Sequence, residues 1–516
     1  MKNIKLIFML FVTSLLVLTA CSNSADPDET NKENDSKSNT TLTIAQSADL
    51  TTMDPQNSLS TNGDRVFRNM FSRLFQRDEN MEIQPLIVES FENPAEDTWT
   101  FKLIEGIKFH NGDPLTAEDV KFSLERVMND ESLKEYPYFK QISEVNVLEE
   151  YLVEIKTDGP MPTLLRLLAK SGSDIVPKKY FEEVKVDGFQ KNPIGSGPYK
   201  YVNWIRDDRV ILELNEDYFG EIGTWNEVIV RAIPESSTRV GEVLTGGVDL
   251  ATDIPPNEWE RVNTEAGVEL MNGDTTRVML LVVRTTDGAI TADPKIREAI
   301  DLAINNKAIV ESILKGTAVP VRSRVTKGIL GSDPDLYDSY VYDLEKARAL
   351  IKEAGYEDGV EITFTAPRGR YTLDAEVAQL VAAMLEEAGF KVKINLLESS
   401  AFLDVYNSNS NEELIMIALA DGLLDASYSL VHYTKERAAG QTDYDNEVVE
   451  ELFNKAGRNL DEEERVKQYI EIQKIISEER PHIFLFQLGA NYGVSDKLKF
   501  KPRLDEEINF SEIIKK

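Results

Sequence analysis

The chain has 516 residues, of which 41% are apolar and 28% are charged, and its 90 acidic and 57 basic residues give a net charge of −33. So acidic a chain repels nucleic acid and anionic lipid, which excludes both as general binding partners. The length exceeds what one hydrophobic core can serve and predicts two or three domains. A single cysteine excludes internal disulfides.

The first residues have the pattern of an export signal. Lys2 and Lys5 precede an apolar run at residues 6–18, which is shorter than the roughly 20 residues that a membrane-spanning helix needs. The run ends in LTAC at residues 18–21, which resembles the bacterial lipobox, and this resemblance implies cleavage after residue 20 and a lipid on Cys21. A buried structural role for Cys21 is disfavoured, because polar residues follow and predict a disordered tether over residues 21–40.

Residues 41–277 are predicted to be rich in strands with scattered helices. VILEL at residues 210–214 predicts a strand, and Asp207 and Asp208 before it predict a turn. Thr116 and Asp119 have the spacing of a capping box at the start of a helix.

The GSG sequence at residues 195–197 predicts a tight bend in which Gly195 and Gly197 adopt positive φ. Gly112 and the aspartate after it predict a hairpin turn. His110 is interpreted as a hydrogen-bonded structural histidine.

Residues 278–483 alternate between helical and strand patterns. Asp293 and Pro294 form the start signal of a helix. Further helices are predicted at residues 343–353, 374–388, 446–456 and 461–479. Gly355 and Gly389 follow two of them, where a helix ends in the left-handed conformation. Strands at residues 360–365 and 391–396 then complete a parallel βαβ unit.

Pro481 ends the last helix, and an apolar strand is predicted at residues 483–486. We expect the remaining tail to return to the first domain, so that the chain crosses between two lobes near residues 278–283 and 483–487. The predicted organisation is lobe I at residues 41–277 with an inserted subdomain at about 85–190, lobe II at 278–483, and a return to lobe I at 484–516. A cleft between two lobes is a usual place for a ligand.

Several motifs together resemble one protein family. They are TMDP at residues 52–55, NMF at 69–71, WTFKL at 99–103, GIKFHNGDPLTAEDV at 106–120, PIGSGPY at 193–199 and IREAI at 296–300. In this order they resemble the peptide-binding class, family 5, of the solute-binding proteins of bacterial ABC importers. The resemblance implies an α/β, two-lobe periplasmic-binding-protein-like fold (type II, cluster C) with an extra subdomain in the N-terminal lobe.

The resemblance also implies ligand-binding residues in lobe II. Relatives present an arginine and a tyrosine after the strand at residues 360–365, where Arg370 and Tyr371 stand and Arg368 lies beside them. The carboxyl end of such a strand is a usual binding position, and a guanidinium can grip a carboxylate with two parallel bonds. Arg368 and Arg370 could instead be solvated loop charges.

An aspartate that pairs with the ligand's ammonium group is implied after the strand at residues 414–419. Asp421 is the best positional match for this aspartate, and Asp425 is the second candidate. A tryptophan and an Asp-Pro pair that are common in this segment are absent, and Asp425 with the alanine after it is closer to the glutathione-binding branch.

Ligand contacts are also implied at Ser47, Asp49 and Thr51, where relatives use backbone groups. Arg284 stands where relatives often carry asparagine, and it could meet a ligand carboxylate or pair with Asp287.

Motifs for catalysis, phosphate binding or a metal site are missing from the sequence, and no cofactor or catalytic residue is expected. We therefore expect an extracytoplasmic, lipid-anchored, monomeric receptor on the outer face of the cell membrane that delivers short peptides to an ABC permease and its ATPase. The alternatives within the binding class are a nickel-complex, opine or oligosaccharide receptor on the same scaffold and a peptide-pheromone receptor. A secreted hydrolase and a surface adhesin are the remote alternatives from other classes.

Overall fold

The computed structural model describes residues 40–408 and 412–516. The predicted signal, Cys21 and the tether up to residue 39 lie outside these residues. The strands are β1 Thr41–Gln46, β2 Phe75–Arg77, β3 Ile83–Pro85, β4 Val88–Ala95, β5 Thr98–Leu103, β6 Ile142–Glu149, β7 Leu152–Thr157, β8 Tyr199–Ile205, β9 Arg209–Leu214, β10 Glu227–Ala232, β11 Leu250–Ala251, β12 Val268–Val283, β13 Val319–Pro320, β14 Val360–Arg368, β15 Phe390–Glu398, β16 Leu414–Leu419, β17 His482–Ser495, β18 Leu498–Lys499 and β19 Ile514–Lys515.

The helices are α1 Thr61–Met70, α2 Ala117–Asn129, α3 Tyr136–Phe139, α4 Leu164–Leu167, α5 Lys178–Lys191, α6 Ser236–Leu244, α7 Trp259–Thr264, α8 Pro294–Ala303, α9 Asn306–Ser312, α10 Leu344–Glu353, α11 Asp374–Ala388, α12 Ser399–Asn407, α13 Ala426–Leu430, α14 Lys435–Ala438, α15 Glu447–Gly457 and α16 Glu462–Glu479. Among the described residues, none of these helices combines the length and the apolar character that a membrane span requires.

One large sheet organises the fold, with strand order β15-β14-β16-β12-β17-β11-β1-β10-β9-β8 and β13 paired to β17. We call the body around β1 and β8–β11 lobe I and the body around β14–β16 lobe II. The two long strands β12 and β17 run through both lobes. The strand predicted at residues 483–486 is therefore only the first part of β17, which continues to Ser495.

A second sheet, of order β4-β5-β7-β6, forms the subdomain inserted in lobe I. The predicted capping box at its helix α2 is confirmed, since the Thr116 amide donates to Asp119 Oδ2 over 2.9 Å. Val120, Leu124 and Val127 lie on one side of α2 and are fully buried. The subdomain thus has a hydrophobic core of its own.

Lobe II contains the predicted βαβ unit. β14 and β15 pair in parallel over their whole length, with α11 between them in the chain. Gly355 and Gly389 have φ of 94° and 113°, which confirms the left-handed helix ends predicted for them. Helices cover both faces of the lobe II strands and form a hydrophobic core on each side.

The end of the chain packs on lobe I. The side-chain amide of Asn69 in α1 donates to the carbonyl oxygen of Ile508 over 2.8 Å. The buried indole of Trp225 donates to the carbonyl oxygen of Ile513 over 2.6 Å. These bonds join the C-terminal segment to residues more than 280 positions earlier in the sequence.

The prediction of positive φ at Gly195 and Gly197 is wrong. Neither glycine is in the left-handed region, and both instead lie against the backbone of residues 69–70. A Cβ atom at Gly195 would overlap the carbonyl oxygen of Met70, and one at Gly197 would lie 2.6 Å from the carbonyl oxygen of Asn69. The structural role of His110 is confirmed, because its Nε2 lies 3.0 Å from the Gly197 carbonyl oxygen and its Nδ1 3.3 Å from the Gly195 amide.

We predict that Gly195→Ala lowers the free energy of unfolding by about 3 kcal/mol, because the added methyl group meets backbone that cannot move aside. Gly241→Ala is the matched control. Gly241 lies in α6 with nothing within 4 Å of an added Cβ, so this change should stabilise the protein by up to about 1 kcal/mol. Chemical denaturation of both variants measures the difference, and equal stabilities would contradict the prediction.

Candidate functional site

The pairing of β12 with β17 is interrupted between the two lobes. Asp274 pairs with Gly489 on the lobe I side and Val278 with Gln487 on the lobe II side, so that three residues of β12 stand opposite one residue of β17. The hydroxyl of Thr275 donates to the carbonyl oxygen of Leu488 over 2.7 Å. A side-chain bond therefore bridges the place where the backbone ladder is missing.

The loop that follows β16 begins at this break. The amide of Asp421 donates to the hydroxyl of Thr276 over 2.9 Å, and the Asp421 carbonyl oxygen lies 3.1 Å from the same hydroxyl. Residues 421–428, which we call the junction loop and which include the start of α13, are thereby attached to the middle residue of the break.

The Asp421 carboxylate is enclosed by the junction loop. Its Oδ1 accepts from the amides of Leu423 (3.1 Å) and Asp425 (3.4 Å), and its Oδ2 accepts from the hydroxyl of Ser429 over 2.7 Å. The side chain is almost fully buried, and this burial raises its pKa to about 6 despite the hydrogen bond from Ser429. The implied bond to a ligand ammonium stays a prediction, and the described bonds give this carboxylate a role in shaping the loop.

Asp425 makes a buried ion pair. Its Oδ2 accepts from Nη2 of Arg465 over 2.8 Å and lies 3.8 Å from Nε of Arg166, while its Oδ1 caps α13 through the Ser427 amide at 3.1 Å. Arg465 belongs to lobe II and Arg166 to the inserted subdomain. Asp425 therefore ties its own lobe together and also reaches across to lobe I.

Further junction-loop contacts cross to lobe I. Leu423 packs in the hydrophobic core of the inserted subdomain. The rings of Tyr428 and Tyr138 stack with centroids 5.0 Å apart, and their hydroxyls are 2.9 Å apart. Nη2 of Arg77 donates to the carbonyl oxygen of Gly422 over 2.7 Å. Apolar and polar contacts thus both join the lobes here.

The predicted Arg370 and Tyr371 lie on a second loop of lobe II, directly after β14. The buried carboxylate of Asp374 accepts from the amides of Gly369, Arg370 and Tyr371 at 2.8–2.9 Å. Nε of Arg370 donates to the Tyr371 hydroxyl over 3.0 Å, and this hydroxyl donates to the carbonyl oxygen of Ala418 over 3.0 Å. Tyr371 is therefore fixed to β16, the strand that leads into the junction loop, whereas Arg368 is exposed without a described partner.

The lobe I residues that were predicted to contact a ligand are Ser47, Asp49 and Thr51, and the first two make hydrogen bonds to other residues of lobe I. The hydroxyl of Ser47 donates to Asp253 Oδ2 over 2.8 Å. Asp49 accepts from the indole nitrogen of Trp204 at 3.0 Å, and Thr51 is exposed.

Arg284 lies away from the break. It follows the lobe II end of β12, six residues beyond Val278, which is about 20 Å along a strand. Its Nη2 pairs with Asp443 over 2.8 Å and its Nε donates to Thr286 over 2.9 Å. The partner that the structure assigns is Asp443, where the sequence analysis suggested Asp287.

The structure adds one residue that the sequence analysis did not select. Arg277 is the third residue of the break, and its Nη2 donates to the Thr61 hydroxyl at 3.3 Å and to Glu506 at 3.2 Å. The sequence feature that could have identified Arg277 is its position directly before the fully apolar run at residues 278–283.

Among the described residues there is no group of three or more potential metal ligands. His110 is partly buried, and burial lowers its pKa to about 4, so its ring is neutral at pH 7. The polar groups at the break are the Arg277 guanidinium, the hydroxyls of Thr275 and Thr276 and backbone groups.

Known proteins show what this chain resembles. The family model described as "Bacterial extracellular solute-binding proteins, family 5 Middle" matches residues 82–441. The glutathione-binding protein GsiB of Salmonella paratyphi A is 26% identical over 455 residues, which cover 86% of this chain and 88% of that protein.

Solved structures resemble the whole fold. The periplasmic binding protein DppA of Helicobacter pylori, in complex with the peptide STSA, has a TM-score of 0.80 and 26% identity over 92% of this chain and 98% of that chain. AgaA of A. tumefaciens R10, in complex with agropinic acid, has a TM-score of 0.79 and 23% identity over 92% and 99%. The two-lobe periplasmic-binding-protein-like fold predicted from the sequence is confirmed.

We predict that Leu423→Ala weakens the contact between the lobes, because it empties a place in the core of the subdomain. A loss of about 2 kcal/mol would shift an equilibrium between closed and open lobes roughly 30-fold. Small-angle X-ray scattering without added solute should then give a larger radius of gyration. Leu148→Ala, at a residue that is 49% exposed, is the control and should leave the radius unchanged, and an unchanged radius in Leu423→Ala would contradict the prediction.

Proposed function

We propose that this chain, which belongs to family 5 of the bacterial extracellular solute-binding proteins, captures short peptides between its lobes and passes them to an ABC permease and its ATPase. The chain is an ABC-importer solute-binding protein, and the peptide ligand, the lipid anchor and the residue roles are the proposed parts. The observation that carries the proposal is that the loop of Arg370 and the junction loop both lie beside the break in β12, where lobe I also contributes side chains.

The proposed binding mode uses opposite charges at the two ends of a peptide. Arg370 receives the ligand carboxylate, because its only described side-chain bonds go to the neutral hydroxyls of Tyr371 and Ser399. Asp421 receives the ammonium group, exchanging part of its internal bonding for this cation when the ligand enters. Lobe II then turns about the break, and contacts to both lobes favour the closed form.

The proposed lobes are residues 41–277 with 484–516, and residues 278–483. We further propose a monomer that acts in transport without catalysing a reaction, held on the outer face of the membrane by lipid on Cys21.

Opines are the alternative ligand class that AgaA suggests, while nickel complexes and oligosaccharides remain alternative ligands on the same scaffold.

The peptide assignment predicts thermal stabilisation by a di- to pentapeptide library, since a ligand at 100 times its Kd stabilises a protein by about 2.7 kcal/mol. With a peptide that gives a shift, Arg370→Gln and Asp421→Asn should each weaken binding about 10- to 100-fold in calorimetry, the loss of one charged hydrogen bond. Arg284→Gln, at the residue that follows the lobe II end of β12, is the matched control and should bind normally. A library without any shift, alongside a shift from nickel chelates, sugars or opines, would refute the peptide ligand.

The lipid anchor predicts that Cys21→Ala moves the protein from the membrane fraction of the producing bacterium to the soluble fraction or the medium. At least two acyl chains are needed for stable attachment, and a chain without the cysteine can carry none. Fractionation measures the shift, and mass spectrometry of the N-terminal peptide identifies the modification. A Cys21→Ala protein that stays with the membrane would show that something else anchors it.

A further inference from the structure

Arg277 has free hydrogen-bond donors between the two lobes. Its side chain is 24% exposed, and Nη2 is the only one of its side-chain nitrogens that donates to a described residue. Nε and Nη1 have no described partner and are not among the buried atoms that lack one. These donors therefore face solvent.

The groups around Arg277 come from both lobes. Glu506 raises its pKa most strongly, and Tyr371 and Asp253 add to this effect. Tyr371 is the lobe II residue whose hydroxyl accepts from Arg370 at 3.0 Å. Arg277 directly precedes Val278, which pairs with Leu419 of β16, and the Tyr371 hydroxyl donates to the carbonyl oxygen of the adjacent Ala418. Arg277 and the bonded pair of Arg370 and Tyr371 therefore meet the same end of β16.

With Arg65 and Arg239, which also interact with Asp253, four guanidinium groups accompany the two carboxylates of Asp253 and Glu506. Asp253 is already shared, because it also interacts with Arg65 and Arg239 and accepts from Ser47 and Thr252. Glu506 pairs with Arg277 through one oxygen at 3.2 Å. Arg370 has no described carboxylate partner. A guanidinium that loses water as lobes close needs an anionic partner to offset the lost hydration.

The two aspartates of the junction loop do not supply this partner. Asp421 and Asp425 use both of their oxygens in bonds within residues 421–429 and toward Arg465. An anion brought by the solute would supply this negative charge.

We propose that Arg277 forms a second anion subsite beside Arg370, and that the preferred solute is a small molecule with two carboxylate groups. This inference rests on the proposed function, because it names the class of solute that the same cleft takes. One carboxylate binds Arg370 and the other accepts from the free N–H groups of Arg277. A solute with a single carboxylate leaves either Arg370 without an anionic partner or the free N–H groups of Arg277 without an acceptor.

The test compares solutes that differ by one charge. Three tripeptides of alanine with one glutamate, at the first, second or third position, are each matched with the peptide that has glutamine there. We expect at least one glutamate peptide to bind the wild-type protein 10-fold or more tightly than its glutamine partner in calorimetry. Arg277→Gln should remove this preference while changing the affinity for the glutamine peptide by less than twofold.

Arg368→Gln is the control, since Arg368 is the exposed last residue of β14, and it should keep the preference. Equal affinities of the wild type for every matched pair would overturn the inference and leave the peptide assignment standing. An Arg277→Gln protein that loses affinity for both members of a pair equally would also overturn it, because Arg277 would then act on the lobes and not on the second carboxylate.

A second arm separates this inference from the peptide assignment. It uses an opine-type N-carboxyalkyl amino acid and its monoamide. If no peptide binds but the dicarboxylate binds at least 10-fold more tightly than the monoamide, and only with Arg277 present, the peptide assignment fails and the subsite is supported. If neither peptides nor the opine bind, both proposals are overturned.

Discussion

The two strands β12 and β17 are the constraint on which the arrangement of the lobes depends, because they run through both bodies. Where the hydrogen-bond ladder between these strands is interrupted, three residues of β12 face one residue of β17. The backbone dihedral angles of these residues are therefore not held by strand pairing. Any rotation of lobe II about this place moves nearby groups least and distant groups most. Arg277 and the Thr276–Asp421 bond lie at the break itself, so they change little on rotation, whereas the Tyr138–Tyr428 stack must separate.

The junction loop shows how tertiary contacts can hold a backbone that its own sequence disfavours. Leu424 has a φ of 54°, which costs a leucine about 1–3 kcal/mol. Leu424 packs in the core of lobe II, while Leu423 beside it packs in the core of the inserted subdomain. Burial of a leucine contributes about 1.5–3 kcal/mol, so the two side chains together can offset the strain. The loop has this shape because neighbouring residues are buried in different bodies.

Local signals in the sequence predicted local structure well. The capping box at Thr116 and the left-handed helix ends at Gly355 and Gly389 depend only on residues within one or two turns, which is why their patterns could be interpreted without the fold. Gly195 was misinterpreted because the group that forbids a side chain there, the Met70 carbonyl, comes from a distant segment.

The candidate site could be predicted only in part for the same reason. Residue types after β14 and β16 pointed to Arg370 and Asp421, but not to the bonds that enclose Asp421. Its amide is held by a threonine 145 residues earlier. Arg277 meets Thr61 and Glu506 across 216 and 229 residues, and no spacing rule connects residues so far apart.

The distribution of charge separates the role of the surface from that of the cleft. With a net charge of −33, the protein repels an anionic solute at long range. This repulsion is screened beyond about 8 Å at physiological salt, so it acts little on a solute that has already reached the break. Recognition of an anion must then come from short-range donors, and a guanidinium among few competing carboxylates suits this task because its hydrogen bonds are charge-assisted. An acidic surface is therefore compatible with the anion subsite proposed at Arg277 and Arg370, since the two act over different distances.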